Sequence, residues 1–358
     1  MTLSVEPSDT TTISLTDAVP SPADAPAVRW GILGAGGIAA AFARAVTQDT
    51  ASTVVAVGSR DESKARAFAD EHLGDDAAQA HVHDSYEALV ADPDVDVVYV
   101  ATPHSHHRDH ALLAIGAGKH VLVEKAFTQS AAEADEVLAA AKAQGVLVME
   151  AMWTRFLPHV AAIHEIIARG DIGRVVTVVA DHGQYFDVPP EHRLVNPELA
   201  GGALLDLGVY PVSFAHDILG APSSVTAVGQ LTATGVDGQV SIVFDYESGQ
   251  QALLHTTLWS ATPTTASISG TEGRIEIDGA FYTPTSFRVT RRDGTTRSYS
   301  TPQVQGLAFE AAEVARLVSE GKTESDRMSW QGTLDVMNAL DEIRRQVGVV
   351  YPGEERGV

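Results

Sequence analysis

Two pairs of polar residues in this sequence have the types and positions that proton chemistry requires. Glu124 and Lys125 end an apolar run that predicts a buried strand, and the carboxyl end of a parallel strand is where ligands bind. A lysine there can polarise a substrate oxygen. Further along, Asp206 and Tyr210 stand four residues apart in a predicted helix, which places both on one face. A buried carboxylate and phenol on that face need polar partners.

A glycine-rich turn near the start of the chain supplies a second chemical signal. Residues 34–39 read Gly-Ala-Gly-Gly-Ile-Ala, between a predicted strand over residues 28–33 and a predicted helix over 38–46. The first glycine permits the tight turn, the second lets the backbone approach a pyrophosphate, and the alanine packs helix against strand. The pyrophosphate would lie at the helix N-terminus. We therefore expect a dinucleotide cofactor to be bound by Gly34, Gly36, Gly37 and Ile38.

The end of the second predicted strand indicates which dinucleotide is bound. An acidic residue there usually binds the ribose 2′-hydroxyl of NAD, whereas this chain has Ser59 and Arg60. The serine can donate a hydrogen bond to a 2′-phosphate, and the arginine can neutralise that phosphate and stack on adenine. We therefore predict NADP as the cofactor. The alternative is NAD, with Arg60 exposed to solvent and Asp61 reaching the ribose.

A third predicted strand, which ends at Ala101, leads into a loop rich in histidine. Thr102, His104 and His107 follow its carboxyl end, where ligands bind in doubly wound sheets. These histidines lack the i, i+4 spacing of a helical metal pair, and no carboxylate stands at a zinc-hydrolase spacing, so we expect no metal site. We expect Thr102 to contact the cofactor, and His104 or His107 to lie near the nicotinamide or the substrate. Helix capping and surface exposure are the alternatives.

Strands and helices alternate through the first half of the chain. This pattern predicts an α/β Rossmann domain with a parallel doubly wound sheet over residues 28–150. The alternation then stops, and strand-like runs separated by turn residues such as Asp237-Gly238 predict an α+β domain with a large, mainly antiparallel sheet over residues 151–358. One of its predicted helices covers residues 203–219. Residues 1–27, rich in Ser, Thr, Asp, Ala and Pro, are expected to form a flexible tail or a dimer arm.

The composition argues against several classes of partner. The 358 residues include 24 Lys and Arg against 47 Asp and Glu, a formal net charge of −23. Nucleic acids and anionic membranes are bound through basic clusters, so we expect neither as a partner. No apolar run reaches the roughly 18–20 residues that a membrane helix needs. The absence of cysteine excludes a disulfide framework and a cysteine nucleophile. We predict a cytoplasmic protein without an export signal.

Several stretches together resemble the Gfo/Idh/MocA oxidoreductases, and the likeness extends over nearly all of the chain after residue 28. It is closest to the branch of trans-1,2-dihydrobenzene-1,2-diol dehydrogenases, which also act as NADP-dependent D-xylose dehydrogenases. The resemblance implies a Rossmann domain followed by an open-faced antiparallel sheet that often serves for dimerisation. We therefore expect a homodimer or homotetramer formed through the C-terminal sheet. The stretches that carry the likeness are residues 31–39, 59–61, 85–89, 117–125, 149–156 and 201–210.

The resemblance also implies roles for individual residues. Lys125 and Tyr210 would be the catalytic pair; many relatives have a histidine in place of the tyrosine, and this branch has tyrosine. The implied pocket and cofactor contacts are His104, His107, Trp153, Arg155 and, beside the lysine, Glu124. The expected substrate contacts are Lys125, Trp153, His182, Asp206 and Tyr210. Three residues of a predicted loop are weaker substrate candidates, namely Gln184, Tyr185 and Arg193.

Two residues depart from the pattern of the family. Ala126 stands where relatives usually have a proline after Glu-Lys, so the local turn and the placement of Lys125 have to be determined. His182 stands where the close branch tends to have phenylalanine. A histidine at this position would make the substrate site more polar.

These residues suggest that the substrate is a sugar such as an aldose, a polyol or a dihydrodiol. Tyr210 would accept a proton from its hydroxyl group while the nicotinamide accepts a hydride. A free tyrosine has a pKa of about 10, and we expect the neighbouring Lys125 ammonium to lower the pKa of Tyr210. Alternatives within the same class are a keto-sugar or 1,5-anhydrofructose reductase and a glycoside C3 dehydrogenase. A non-catalytic NADP-binding sensor is the alternative from another class.

Overall fold

Six parallel strands form the first sheet. The computed structural model describes residues 12–15, 19–301 and 305–354. Numbered in chain order, with β1 at Thr12–Ser14, the strands of this sheet are β2 (Arg29–Leu33), β3 (Thr53–Gly58), β4 (His81–His83), β5 (Val97–Val100), β6 (His120–Glu124) and β7 (Val148–Ala151). Their order in the sheet is β4-β3-β2-β5-β6-β7. The order reverses between β2 and β5, which is where doubly wound sheets bind their ligands.

The helices between these strands differ in how they begin. They are α1 (Gly37–Asp49), α2 (Glu62–His72), α3 (Tyr86–Ala91), α4 (His107–Gly116) and α5 (Ala131–Gln144). The side chains of Asp61, Ser85 and Ser130 accept hydrogen bonds from the first turns of α2, α3 and α5. α1 instead begins after Gly36, which has no side chain to cap it. The N–H groups of its first turn are therefore free of a side-chain cap and suited to an anionic ligand.

Nine strands form the second sheet, which is mainly antiparallel. Besides β1 they are β8 (Val175–Gly183), β9 (Ser224–Leu231), β10 (Asp237–Asp245), β11 (Gln251–Thr257), β12 (Ala266–Gly270), β13 (Gly273–Ile277), β14 (Phe287–Arg291) and β15 (Thr296–Ser300). Their order is β1-β15-β14-β13-β12-β8-β11-β10-β9, with β8 parallel to β11 and β1 parallel to β15. Side chains alternate between a buried face and an open face, where Val179, Val228 and Leu253 are exposed. The predicted fold class is confirmed.

The remaining helices connect the two halves of the chain. They are α6 (Pro158–Ala168), α7 (Val209–Leu219), α8 (Leu307–Ser319) and α9 (Trp330–Val347). α8 packs against α1, and α9 packs against α5, so the last part of the chain returns to the first sheet. The division at residues 150 and 151 therefore stays a prediction. No helix among the described residues combines the length and apolar character that crossing a bilayer would require.

Part of the expected N-terminal tail is an ordered edge strand. β1 pairs with β15, with Ile13 opposite Tyr299, and Leu15 is buried. The structure differs from the flexible tail expected because the free edge of β15 offers backbone hydrogen-bonding groups and the short apolar stretch can cover it. Val19 and Ala25 are also buried. Residues 1–11 and 16–18 of the predicted tail lie outside the described residues.

Polar strands were the elements that the sequence pattern missed. β4 and β15 are short and largely polar, so neither shows the apolar run by which the other strands were predicted. Asp237-Gly238 was expected to form a turn and instead begins β10. Asp237 is buried there because its carboxylate accepts a hydrogen bond from the N–H of Leu204 at 2.6 Å. A tertiary contact thus overrides the local turn preference of these two residues.

Candidate active site

A cavity of about 620 Å³ lies at the carboxyl ends of the strands of the first sheet and is closed by residues of the second half. The first half contributes the glycine turn and the loops after β5 and β6. The second half contributes the ends of β8 and of the helix that contains Tyr210. The lining residues are Gly36, Gly37, Ile38, Ala101, Thr102, Pro103, His104, His107, Glu124, Lys125, His182, Gln184, Phe186, Arg193, Leu199, Asp206, Leu207, Tyr210 and Tyr282.

The glycine turn shapes one end of this cavity. Gly34 has a φ of +107°, and a Cβ there would lie 2.9 Å from the carbonyl oxygen of Ala101, so only glycine fits without strain. Gly36 and Gly37 line the cavity, and a Cβ on either would have no atom within 4 Å. This open space and the uncapped first turn of α1 form a cradle for a pyrophosphate. Ile38 presents an apolar side chain beside it and is 42% exposed.

The loop after β3 presents Ser59 and Arg60, and Asp61 serves as the cap of the next helix. The carboxylate of Asp61 caps α2, where it accepts hydrogen bonds from the N–H of Ser63 at 3.0 Å and from its hydroxyl at 2.6 Å. It is therefore occupied and does not need a ribose as partner. Ser59 is buried, and Arg60 beside it is exposed. Neither residue lines the cavity, so both would contact the far, adenosine end of a dinucleotide.

Two histidines hold the loop after β5 in place. The Nδ1 atom of His104 lies 3.1 Å from the carbonyl oxygen of Ala200, which requires an N–H there and makes Nε2 an acceptor. Burial lowers the pKa of His104 to about 3, so its ring is neutral. The two ring nitrogens of His107 lie 2.9 Å from the carbonyl oxygen of Ala126 and 2.7 Å from that of Thr102. Burial lowers the pKa of His107 to about 4, so its neutral ring has one N–H and donates to only one of these two carbonyls, while packing against both loops.

Lys125 is held by a residue from the other half of the chain. Its Nζ donates to the carbonyl oxygen of Asp206 at 2.7 Å and lies 3.5 Å from the carboxylate of the same residue. Arg193 donates to this carboxylate at 2.9 Å. Burial alone would raise the pKa of Asp206, but the two cations outweigh it and hold the pKa well below its usual range. Replacement of the family's proline by Ala126 therefore leaves Lys125 in the cavity beside Asp206.

Tyr210 lies beside Lys125, but the ammonium faces its ring, whereas the sequence suggested that it would stabilise the phenolate. The Nζ of Lys125 lies over its ring, 5.0 Å from the centroid, and the hydroxyl accepts a hydrogen bond from the indole N–H of Trp153 at 3.3 Å. Burial, reinforced by the charge of Glu124, raises the pKa of Tyr210 well above 10. The expectation that Lys125 lowers this pKa is wrong for this arrangement, because the ammonium is bound to Asp206. Tyr210 is a neutral phenol at neutral pH.

Glu124 closes the cavity from the side of the first sheet. Its carboxylate accepts hydrogen bonds from the hydroxyl of Tyr99 and from the N–H of Lys125 at 3.2 Å. Burial raises the pKa of Glu124, and the charge of Lys125 opposes this effect. The carboxylate thus has partners on β5 and in the backbone that follows it, and it lies at the wall of the cavity.

A chain of neutral polar groups follows the wall formed by the second sheet. The Nδ1 of His182 lies 3.1 Å from the carbonyl oxygen of Leu207 and its Nε2 lies 3.0 Å from the amide nitrogen of Gln184. Burial lowers the pKa of His182 to about 4. Its N–H therefore points to Leu207, and Nε2 accepts from Gln184. The ring of Tyr282 stacks on that of Tyr210 with centroids 4.3 Å apart.

Sequence reasoning found some of this wall and missed the rest. Gln184 and Arg193 line the cavity as the weaker candidates suggested, whereas Tyr185 is 66% exposed on the surface. Tyr282 and Phe186 were missed. Tyr282 stands in a loop between strands with no motif around it, and only the chain fold brings it to Tyr210.

Trp153 and Arg155 are further predicted contacts that lie outside the lining of the cavity. Trp153 is connected to the cavity through the hydrogen bond that its indole N–H donates to Tyr210. Its ring packs against Gly306, where a Cβ would lie 2.4 Å from the ring. Arg155 is buried, and it donates to the side chain and carbonyl of Ser213 at 3.1 and 3.2 Å and pairs with Asp217 at 3.6 Å. Its guanidinium also donates to the carbonyl oxygen of Arg327 at 3.3 Å, and its contact with a cofactor stays a prediction.

A π-helical turn positions the tyrosine. Residues Leu204–Gly208 form this turn directly before α7, where a continuous helix over 203–219 was expected. Its start is anchored by the bond from Leu204 to Asp237, and Gly208 has no room for a side chain, since a Cβ would lie 2.9 Å from Thr256. The extra residue in the turn lets the carbonyl of Asp206 face Lys125 while Tyr210 reaches Trp153.

The family of this chain follows from comparison with known proteins. Residues 28–152 match the model of the Gfo/Idh/MocA oxidoreductase family with an NAD-binding Rossmann fold, and residues 160–276 match that of the GFO/IDH/MocA C-terminal domain. The chain is 36% identical to the D-xylose 1-dehydrogenase (NADP(+)) of Hypocrea jecorina, over 91% of this chain and 93% of that protein. It belongs to the Gfo/Idh/MocA family. Another member, the trans-1,2-dihydrobenzene-1,2-diol dehydrogenase of Xenopus tropicalis, is 37% identical over 91% of this chain and 100% of that protein.

A solved structure supports the same assignment. A 3-ketoreductase from Actinomadura kijaniata in complex with NADP and TDP-benzene is similar with a TM-score of 0.78 at 26% sequence identity, covering 89% of this chain and 98% of that chain. The predicted resemblance to Gfo/Idh/MocA oxidoreductases is thus confirmed, and this chain is a family member with both domains.

The glycine turn yields a matched pair of variants. Gly34→Ala should lower the free energy of unfolding by about 1–3 kcal/mol, because an alanine is strained at a positive φ and its Cβ meets the backbone of Ala101. Gly36→Ala should leave stability nearly unchanged, since its Cβ enters open space, but should weaken dinucleotide binding by filling the cradle. Thermal unfolding and cofactor titration of both variants measure the difference. Equal loss of stability in the two would contradict this account of the turn.

Proposed function

We propose that this protein is an NADP-dependent oxidoreductase that transfers a hydride between the nicotinamide and a hydroxyl or carbonyl carbon of a sugar, polyol or dihydrodiol. One observation carries the proposal. A single cavity has an uncapped helix N-terminus with two open glycines at one end and Lys125 beside Tyr210 at the other. A dinucleotide bound at the first end can bring its reactive ring to the second.

The cofactor residues follow from this arrangement. Gly36, Gly37 and Ile38 would hold the pyrophosphate, and Ser59 with Arg60 would hold the 2′-phosphate. The loop from Thr102 to His107 and the Glu124-Lys125 pair would lie along the nicotinamide half. Bound NADP supplies the hydride acceptor in oxidation and the hydride donor in reduction. The names of the D-xylose dehydrogenase relative and of the ketoreductase complex support NADP over NAD.

Lys125 and Tyr210 would act on the substrate oxygen. The ammonium of Lys125 polarises this oxygen, and the phenol of Tyr210 gives it a proton in reduction or takes one in oxidation. Trp153 orients the phenol through its N–H, and Asp206 holds the lysine. The remaining wall offers neutral donors and acceptors from His104, His182 and Gln184, which suit a substrate with several hydroxyl groups.

Reduction of a keto-sugar is the second candidate, and the protonation of Tyr210 favours it. Because burial raises the pKa of Tyr210, the protonated phenol that could donate to a carbonyl oxygen is the populated form at neutral pH, and the phenolate that could accept a hydroxyl proton is scarce. A non-catalytic NADP-binding sensor would have no need for the contacts that hold Lys125 and Tyr210 together. Assays in both directions across aldoses, inositols, glycosides, dihydrodiols and keto-sugars separate these functions.

Removal of either reactive group should abolish most of the activity. Lys125→Ala and Tyr210→Phe should each lower kcat by at least about a hundredfold, because each removes a group that stabilises or transfers charge at the substrate oxygen. NADP binding should remain nearly intact. The matched control is Tyr282→Phe, which removes a hydroxyl from the same cavity and should change kcat by less than about tenfold. Near-normal rates in both first variants would overturn the assignment.

The pH dependence should differ between the two directions. The pKa of Tyr210 lies above 10, so the phenol is protonated throughout the neutral range and loses its proton only at higher pH. Reduction should therefore be nearly independent of pH between about 6 and 9, whereas oxidation should rise by about tenfold per unit as phenolate forms. Profiles of kcat/KM measure both directions. A plateau in oxidation that begins near about pH 7 and is lost in Tyr210→Phe would contradict a raised pKa.

Arg60 should determine the choice between the two cofactors. Arg60→Ala removes one charge-assisted contact to the 2′-phosphate and should weaken NADP binding by about tenfold to a hundredfold, with NAD binding unchanged. The control is Arg66→Ala, an exposed arginine of α2 that donates to the carbonyl oxygen of Ala77 and pairs with Asp70 at 3.8 Å. Fluorescence titration with both cofactors gives the affinities. An equal loss for NADP and NAD would show that Arg60 acts on the fold rather than on the phosphate.

The open face of the second sheet is the proposed surface for self-association. Val179 and Leu253 are directly paired neighbours on β8 and β11, and they are 41% and 44% exposed. Val228 on β9 is 69% exposed. We propose that a second copy covers these side chains in a homodimer or homotetramer. The cytoplasmic location stays a prediction from the sequence.

A further inference from the structure

A second cluster of chemically active side chains lies at the edge of the first sheet, away from the cavity. Within the described part of the chain, His81, His83 and Asp92 form the one group of three potential metal ligands whose donor atoms lie within 4.8 Å of one another. The Nδ1 of His81 lies 2.7 Å from one carboxylate oxygen of Asp92, and the Nε2 of His83 lies 2.9 Å from the same oxygen.

The fold brings these three side chains together. His81 and His83 are two residues apart on β4, so the alternation of a strand places both on the same face. Asp92 follows the last residue of α3, which packs against β4. The side chain of Asp92 is 3% exposed, and those of His81 and His83 are 49% and 21% exposed. The cluster is thus anchored on the inside and open to solvent on the outside.

The carboxylate is oriented and ionised. Its second oxygen accepts the N–H of Asp94 at 2.9 Å, so the shared oxygen is left for the two imidazoles. Burial opposes ionisation, but the hydrogen bonds from His81, Asp94 and His83 lower the pKa of Asp92 to about 2. The ammonium of Lys119 is nearby and is bound to the backbone carbonyls of Asp92 and Val95 rather than to the carboxylate.

We propose that His81 Nδ1, His83 Nε2 and a carboxylate oxygen of Asp92 bind one divalent transition-metal ion, for which Zn²⁺ is the best-suited ion. Two imidazoles and one carboxylate are a ligand set that Zn²⁺ takes, with bonds of about 2.0–2.2 Å and a fourth position open to water. The two nitrogens already point to one oxygen, so a small outward shift of the exposed His81 makes room for the ion. Each imidazole then gives its lone pair instead of an N–H, and a proton leaves the site if the ring was protonated.

The position of the site indicates its effect on the protein. β4 is the outermost strand of the first sheet, held on one side only by β3. The carbonyl oxygen of His83 also accepts the N–H of Ser59 at 3.1 Å. An ion that joins β4 to the end of α3 would stabilise this edge and the folded protein as a whole.

The test uses the full-length protein, stripped of metal with a chelator and measured without NADP, so that it is independent of the proposed enzymatic function. Titration with Zn²⁺ should show one tight site per chain and a rise in Tm. Co²⁺ should give the visible absorption of a tetrahedral complex. His81→Asn and His83→Asn should each weaken Zn²⁺ binding by at least about tenfold and remove the rise in Tm.

A matched control separates this site from general binding to surface histidines. His164 is 45% exposed and lies 2.8 Å from the carboxylate of Asp217, and among the described residues this pair belongs to no group of three potential metal ligands. His164→Asn should leave the Zn²⁺ affinity unchanged. The proposal fails if the stripped protein takes up less than one Zn²⁺ per chain, or if binding is as tight in His81→Asn and His83→Asn as in the unmodified protein.

Discussion

The contact between Lys125 and Asp206 is the interaction on which the geometry of the cavity depends. It joins the end of β6 in the first half of the chain to the π-helical turn in the second. Both groups are largely buried, where the attraction between opposite charges is screened less than at the surface. Arg193 adds a second cation from the loop that covers the cavity. The two halves are therefore held at the position where a cofactor from one meets a phenol from the other.

Burial divides the cavity into a charged centre and a neutral rim. Asp206 stays ionised because two cations face it, whereas His104 and His182 lose their charge because desolvation is not offset. Tyr210 keeps its proton for the same reason. A neutral rim of fixed donors and acceptors favours a ligand with many hydroxyl groups over a strongly charged one.

The glycine turn and the lysine share one edge because of the topology of a parallel sheet. All strands of the first sheet end on the same side, so Gly34 after β2 and Lys125 after β6 come together although many residues separate them. The second half faces this edge with the end of β8, the π-helical turn, the start of α7 and the loops that contain Arg193 and Tyr282. The exposed side chains on the open face of the second sheet, such as Val228, do not line the cavity.

The sequence by itself determined the elements that depend on neighbours along the chain. Short local patterns predicted the strand–turn–helix over residues 28–46 and the strands that end before Lys125 and before the serine–arginine pair. The structure has these elements close to the predicted positions. The fold class followed from their alternation. Polar edge strands such as β4 escaped this reasoning because nothing local distinguishes them from loops.

Only the tertiary structure decided what depends on groups far apart in the chain. Arg155 is 58 residues from Ser213 and Trp153 is 57 residues from Tyr210, and these contacts set the role of each side chain. The pKa of Tyr210 is raised, although the sequence suggested that Lys125 would lower it. Burial of the phenol and the bond between Lys125 and Asp206 cause this difference, and neither can be predicted from the local sequence. The same holds for the pairing of β1 with β15 and for the meeting of two histidines of β4 with Asp92. Packing brings these groups together, and the energies of charge and burial at such contacts exceed any local preference.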